Sequence, residues 1–416
     1  MYKALTTTFI VLVLLFVIWA DNTNYGKQDS EKVFFDARKQ QTNYTGPGRE
    51  EHPPANIKEV LIGYFGPNSS SDLEYEDMWS AACIAIEKAN KAGGYKGLPF
   101  RLVSGWSENP WGTGISKVVR MAYVDKVWGI IGGIDGPSTH LAEQVAVKAR
   151  LTVLSPASTD KTVNLANVPW IFSCVPGDHI QAPVLVNSIA LNIGKKPFII
   201  VSAVDHDSHL FTVELVKSLA KQQLFPAYHL EFNPNENNVE KLTEKIISAN
   251  LHALVLIADA RNSAQLIRTL REKNFTGLIF GGPCMGRRNF LEQVGQETGD
   301  LIFPLLYAQI KNTNNFEEKF TLRFGHSPDY LAAYTYDAIN LLITAIRQAG
   351  LNRVLIRDRI KSLSPWQGIT GSIQWDSLGS NSRSIKLGTI RNGRLEPLSK
   401  TKHPVPIYSL FSNYLR

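Results

Sequence analysis

Asn90–Phe100 reads NKAGGYKGLPF, with three glycines inside five positions directly behind a long helical run. Upstream, DLEYEDMWSAACIAIEKANKA carries apolar residues at 78, 82, 85 or 86, and 89, which is helical spacing. Gly93 and Gly94 are expected to end that helix through left-handed backbone, which costs a side-chain-bearing residue more than it costs glycine. Gly97 is expected to turn the chain into LPFRLVS as a strand. With IKEVLIGYF ahead as a buried strand, the corner reads as the helix-to-strand return of a right-handed βαβ unit.

The alternation continues outward. Helix GISKVVRMAYVDK, strand VWGIIGG, helix PSTHLAEQVAVKAR and strand LTVLSPA follow. After VPWIFSCVPGDH a second series begins: helix 179–195, strand PFIIVSA, helix 208–223, strand YHLEF, helix 238–250, strand HALVLIA, helix 262–273 and strand GLIFGG. Two such arrays predict an α/β protein of two doubly wound, Rossmann-like lobes. The chain then returns through helices 328–350 and 353–363. It finishes in GITGSIQWD and IKLGTIRNGRLEPL, strand-like pieces expected to complete sheets begun earlier. Repeated passage between lobes would make a hinge.

At 416 residues and 44% hydrophobic content the chain has material for two cores. The net charge of +7 is scattered over helices that also carry acids, as in RVLIRDRIKSL. That is a solvated surface, not a nucleic-acid footprint. Lys3 precedes ALTTTFIVLVLLFVIWA, seventeen uncharged residues, so residues 1–20 are expected to be a signal peptide or membrane anchor of an exported protein. Residues 21–56 are polar and expected to be a tether. Cys83, Cys174 and Cys284 imply no disulfide framework.

Enzyme signatures are missing: there is no P-loop, His-Glu-x-x-His, Cys-x-x-Cys or Gly-x-Ser-x-Gly, and GTG at 112–114 lacks a third glycine. DHDSH, Asp205–His209, is the densest group of metal-ligand types, but no matching group elsewhere completes a site. It is read as Asp207 or Ser208 capping a helix, with histidines lining a polar cleft. GGIDGPSTH and LSPASTD both follow buried strands and set hydroxyl residues at or near a helix N-terminus, where free N–H groups favour a carboxylate or another anionic head group. Plain capping accounts for either loop alone; the pair at neighbouring strand ends points to a ligand site.

Together with the opening corner, VWGIIGG with PST, LSPAST, PWIFSCVPGDHIQAP, SPDYLAAYTYDAINLLITAIRQAG and GITGSIQWDSLG follow in the order seen in type I periplasmic binding proteins. From about 57 to 398 the chain resembles the branched-chain amino-acid (Leu/Ile/Val) binding group of ABC transporters. The resemblance implies two lobes joined by three crossings near 176, 306 and 384, closing on a small ligand. It assigns 57–176 plus 306–384 to lobe I and 177–305 plus 385–400 to lobe II. It implies that Asp135, Gly136, Pro137, Ser138, Ala157, Ser158 and Thr159 hold the ligand carboxylate. His209 stands near a position that is often tyrosine, and Asp259 and Glu74 stand where aromatics are common. Cys284, in GGPCMG, takes the place of the acid that binds the ligand ammonium. Either Asp259 or Glu74 then supplies that charge, or the ligand has no amine.

The resulting expectation is a solute-binding protein, not an enzyme. It needs no cofactor or metal, works as a monomer outside the cytoplasm, and delivers a small polar ligand (an amino acid or a related carboxylate or amide) to an ABC transporter permease. A sensory receptor domain on the same fold is the alternative, weakened because no apolar run follows Phe411; a metal-assisted enzyme built on DHDSH is a further one.

Overall fold

The computed structural model describes residues 43–69, 72, 74–236, 238–295, 298–308 and 315–398. The expected leader and the tether up to residue 42 lie outside the described residues. Strand β1 (Val60–Phe65), helix α1 (Glu76–Lys91) and strand β2 (Phe100–Gly105) form the predicted βαβ unit, with β1 and β2 parallel from Val60 opposite Phe100 to Phe65 opposite Gly105. At its corner Gly93, Gly94 and Gly97 have φ of +90°, +62° and +86°. A Cβ on Gly94 would collide with the Leu98 carbonyl oxygen. Asn90 seals the return, donating to the Phe100 carbonyl at 2.9 Å and accepting from the Phe100 N–H at 2.7 Å.

Lobe I continues with α2 (Ile115–Val119), β3 (Ile130–Gly132), α3 (Gly136–Ala149), β4 (Val153–Ser155), α4 (Thr162–Leu165) and β5 (Ile171–Pro176). Single π-helical turns, Pro110–Gly114 and Arg120–Val124, flank α2, so this helix starts before the glycine expected to open it. Lobe II is built from α5 (Asp178–Ile193), β6 (Ile199–Ala203), α6 (His206–Lys221), β7 (Tyr228–Phe232), α7 (Val239–Ser248), β8 (Ala253–Ile257), α8 (Ala260–Glu272), β9 (Leu278–Gly281), α9 (Arg288–Val294) and β10 (Leu301–Leu305). The chain returns through α10 (Phe316–Phe324), α11 (Tyr330–Ala349), α12 (Arg353–Ser362), the hairpin β11 (Trp366–Gly368) and β12 (Gly371–Ile373), and β13 (Ser380–Asn381). It ends in the hairpin β14 (Lys386–Arg391) and β15 (Arg394–Pro397).

The first sheet runs β13-β5-β4-β3-β1-β2 and the second β15-β14-β10-β9-β8-β6-β7, so the chain passes between sheets three times: after β5, after β10 and after β13. All pairings within the two sheets are parallel except those of β14. Both sheets are covered on both faces, which is why their central strands read as unbroken apolar runs. In β8, Leu254 and Leu256 join one core while Ala253, Val255 and Ile257 join the other.

One expectation fails at the amino end. Residues 43–51 are not a free tether but lie against lobe I, because Tyr44 finds an apolar partner in Trp170, ring centres 4.8 Å apart. Asn352 adds hydrogen bonds to the carbonyls of Gly48 at 2.7 Å and Glu51 at 2.8 Å.

Candidate functional site

Loops leaving the carboxyl ends of parallel strands in both sheets meet across the cleft, the edge where open α/β sheets bind ligands. The contacts fall into two clusters.

The first surrounds the N-terminus of α3. Asp135 caps the helix, accepting from the Ser138 N–H at 2.8 Å, while Ser138 Oγ accepts from the N–H groups of Ile134 at 3.0 Å and Asp135 at 3.3 Å. Ser138 is thus buried and engaged within its own lobe. The Gly136 N–H is left free of the helix ladder. It donates across the cleft to the Asp207 carboxylate, 3.1 and 3.3 Å from its two oxygens. Asp207 is available because Asp205 caps α6, accepting from the Ser208 N–H at 3.0 Å. This corrects the assignment of the cap to Asp207 or Ser208: Asp205 has the extended backbone of a cap, and Ser208 is its third helical residue. A Cβ on Gly136 would lie 2.7 Å from Asp160 Oδ2, 2.8 Å from Asp207 Oδ1 and 2.9 Å from the His206 ring.

Asp160, 2% exposed, anchors this side. His206 Nε2 reaches it from lobe II at 3.0 Å, and Thr162 donates N–H and hydroxyl at 2.7 Å each. Burial would raise the Asp160 carboxyl, but hydrogen bonds from His140, Thr162 and His206 hold it well below the usual range. The same contact with Asp160, and one with Glu143, push His140 up to about 9. Lys161 pairs with Glu214 of lobe II at 2.6 Å. Burial and neighbouring Asp135 push the half-buried Asp207 up to about 7, against the Gly136 N–H and His206.

The second cluster surrounds Arg287, which sits between the 3-10 turn Pro283–Gly286 and α9 and is 6% exposed. Its Nε donates to Asp329 at 2.6 Å and its Nη1 to Glu74 at 2.9 Å, both in lobe I. Tyr75 and Tyr330 lie against the guanidinium, ring centres 5.6 and 5.8 Å from its carbon. That is a carboxylate and aromatic cage for a cation. Burial keeps the Glu74 carboxyl raised, with Arg287 pulling it down and Asp259 and Asp329 opposing. Next to it Arg288 pairs with Glu76 at 2.7 Å and Asp77 at 3.0 Å. Glu76, Asp77 and His326 bring three potential metal-ligand atoms within 4.8 Å of one another, but both carboxylates already pair with Arg288.

Other residues singled out by sequence take varied places. Pro137 lies in the first turn of α3 and Ala157 in the core of lobe I. Buried Ser158 accepts from the Asp160 N–H at 3.3 Å, and the Thr159 carbonyl accepts from the Asp178 N–H at 2.9 Å where the chain first changes lobe. Asp259 is exposed and caps α8, accepting from the Asn262 N–H at 2.8 Å. The Cys284 thiol donates to the Ala258 carbonyl at 3.0 Å; burial pushes it up to about 12, so it is neutral. His209 is exposed on α6 and its side chain makes no hydrogen bond or ion pair among the described residues. The cleft therefore joins Gly136 and Glu74 with Tyr75, Asp160, His206, Asp207, Arg287, Asp329 and Tyr330, none of them among the residues assigned to the ligand, although Asp329 and Tyr330 lie in the quoted SPDYLAAY stretch; Cys284 bonds to Ser263 and Ala258 within lobe II. Asp160, His206 and Asp207 stood inside stretches already under suspicion; Arg287 in CMGRRNF carried no signal.

Fold and cleft together define a two-lobed binding protein. The chain belongs to the periplasmic binding protein family, whose model matches residues 59–394. It is 23% identical over 332 residues to an amino acid binding protein of Pseudomonas aeruginosa, covering 78% of this chain and 87% of that one. The branched-chain amino acid transporter substrate-binding protein LivJ of Streptococcus pneumoniae, solved with isoleucine, superposes with a TM-score of 0.74 at 19% identity, covering 82% of this chain and 98% of that one. A solute-binding protein of an ABC transporter from R. palustris, solved with benzoate, gives a TM-score of 0.72 at 14% identity over 82% of this chain and 95% of its own. Members of this family bind solutes without transforming them. No described helix is long and apolar enough to cross a membrane.

Proposed function

We propose that the protein is an exported carrier that captures a small carboxylate without an amine between its lobes and hands it to an ABC transporter in the membrane. The observation that carries this reading is the Gly136 N–H, directed across the cleft at carboxylate oxygens 3.1 and 3.3 Å away. A helix N-terminus of this kind takes a carboxylate from any source. Among the described residues an ammonium has no comparable seat. Glu74 and Asp329 are already paired with Arg287, Asp259 is spent on a cap, and Cys284 is neutral. A desolvated ammonium without an opposing charge is costly. The benzoate bound by one relative is of the expected class; the isoleucine bound by another is not.

Thermal unfolding against a panel of benzoate, short-chain carboxylates, leucine and isoleucine tests this. A carboxylate at a hundred times its Kd should add about 2.7 kcal/mol of stability. The amino acids should add little. Gly136→Ala, whose methyl would press on Asp160, Asp207 and His206, should abolish the response. A panel in which only amino acids stabilise, or in which Gly136→Ala responds like the parent, would refute the carboxylate reading.

A further inference from the structure

Two charges of the chain itself occupy the two poles of this cleft. At one, Asp207 of lobe II places its carboxylate on the Gly136 N–H of lobe I. At the other, Arg287 of lobe II fills the cage of Glu74, Asp329, Tyr75 and Tyr330 in lobe I. Each pole thus sets a charge-bearing side chain of lobe II on groups of lobe I. We propose that Asp207 and Arg287 act as a built-in ligand, holding the solute-free protein closed and setting which solutes can enter. The inference rests on the cleft being the solute site.

A free solute must then displace Asp207 from Gly136, so Asp207 is a resident competitor and a specificity-determining residue. Arg287, bonded through Nε and Nη1 to two carboxylates, closes the other pole to amines. Closure without a guest also lowers apparent affinity, because only the fraction of molecules with Asp207 withdrawn accepts a solute. Removing Asp207 should tighten carboxylate binding about tenfold if the competent fraction is near a tenth. Removing Arg287 should uncover Glu74 and Asp329 as an organic-cation seat.

Hydrogen exchange on the full chain, purified without solute, reads closure at two backbone amides that donate across the cleft. Gly136 N–H donates to Asp207, and Arg288 N–H lies 3.4 Å from Asp329. In the parent both amides should be protected. In Asp207→Ala and Arg287→Ala both should exchange faster, with acetate restoring protection in the first and methylguanidine in the second. Retained melting identifies folded variants; should Arg287→Ala fail to fold, Arg287→Lys, which keeps charge but loses the fork, is read instead. Equal exchange in parent and variants, or probes without effect on either variant, overturns the proposal. A parent that is unprotected alone and protected by benzoate sinks self-closure while leaving the carrier reading intact. A parent and an Asp207→Ala variant that both ignore every carboxylate sink the carrier reading instead.

Discussion

Asp207 binds its proton more tightly with the cleft shut than open. Its ordinary value near 3.8 applies to a solvated carboxyl, whereas burial and Asp135 push it up to about 7 in the closed form. Asp160 adds to the rise; Tyr75 and Asp178 also sense its charge, and His206 and the Gly136 N–H oppose it. A carboxyl whose closed value is raised favours closure at low pH. That contribution grows as pH falls below about 7 and is complete below about 4, while above pH 7 it vanishes. Protection of the Gly136 amide, corrected for intrinsic exchange, should therefore deepen from pH 8 to pH 5. Asp207→Asn, which still accepts from Gly136 but does not titrate, should flatten the upper part of that slope.

The βαβ corner separates two reasons for glycine at the scale of the element. Gly93 and Gly94 both have positive φ, yet a Cβ on Gly93 meets nothing within 4 Å while one on Gly94 meets the Leu98 carbonyl. Gly93→Ala should cost about 1 kcal/mol for backbone conformation alone, and Gly94→Ala clearly more, measured as urea midpoints at constant slope. The corner was legible because both terms are local to one stretch of chain. The α6 cap was less so: Asp205, Asp207 and Ser208 are all good cap residues, and only the backbone path out of β6 selects Asp205. Sequence also passed over α10, whose Phe316 and Phe320 are buried, because FEEKFTLRF is short and charged beside its neighbours.

For the molecule as a whole, the three passages bring loops from distant parts of the chain to one cleft. They also give the amino end a place to dock. Arg49 is held by the carbonyls of Tyr44 at 2.7 Å and Gly46 at 2.9 Å and pairs with Asp358 at 2.9 Å. Tyr44→Ala should lower stability by about 3 kcal/mol, as for an aromatic removed from a core. It should also make trypsin cleave after Arg49 faster than in the parent; unchanged cleavage would show that this segment does not depend on its aromatic anchor.

Fold and family lay open in the chain itself, because helix periodicity, apolar strand runs and left-handed glycine corners are set by neighbours a few residues apart. Among the site residues, Gly136 and its cap Asp135 could be read for the same reason, since a helix start is a local event. The partnership of Arg287 with Glu74 and Asp329, and of Asp207 with Gly136, was decided only in three dimensions. Those pairs lie on opposite lobes, and a charge 213 residues away leaves no mark on local pattern. Tertiary structure alone brings the two charges to the cleft, where burial works against each charge and its partner from the other lobe offsets that cost.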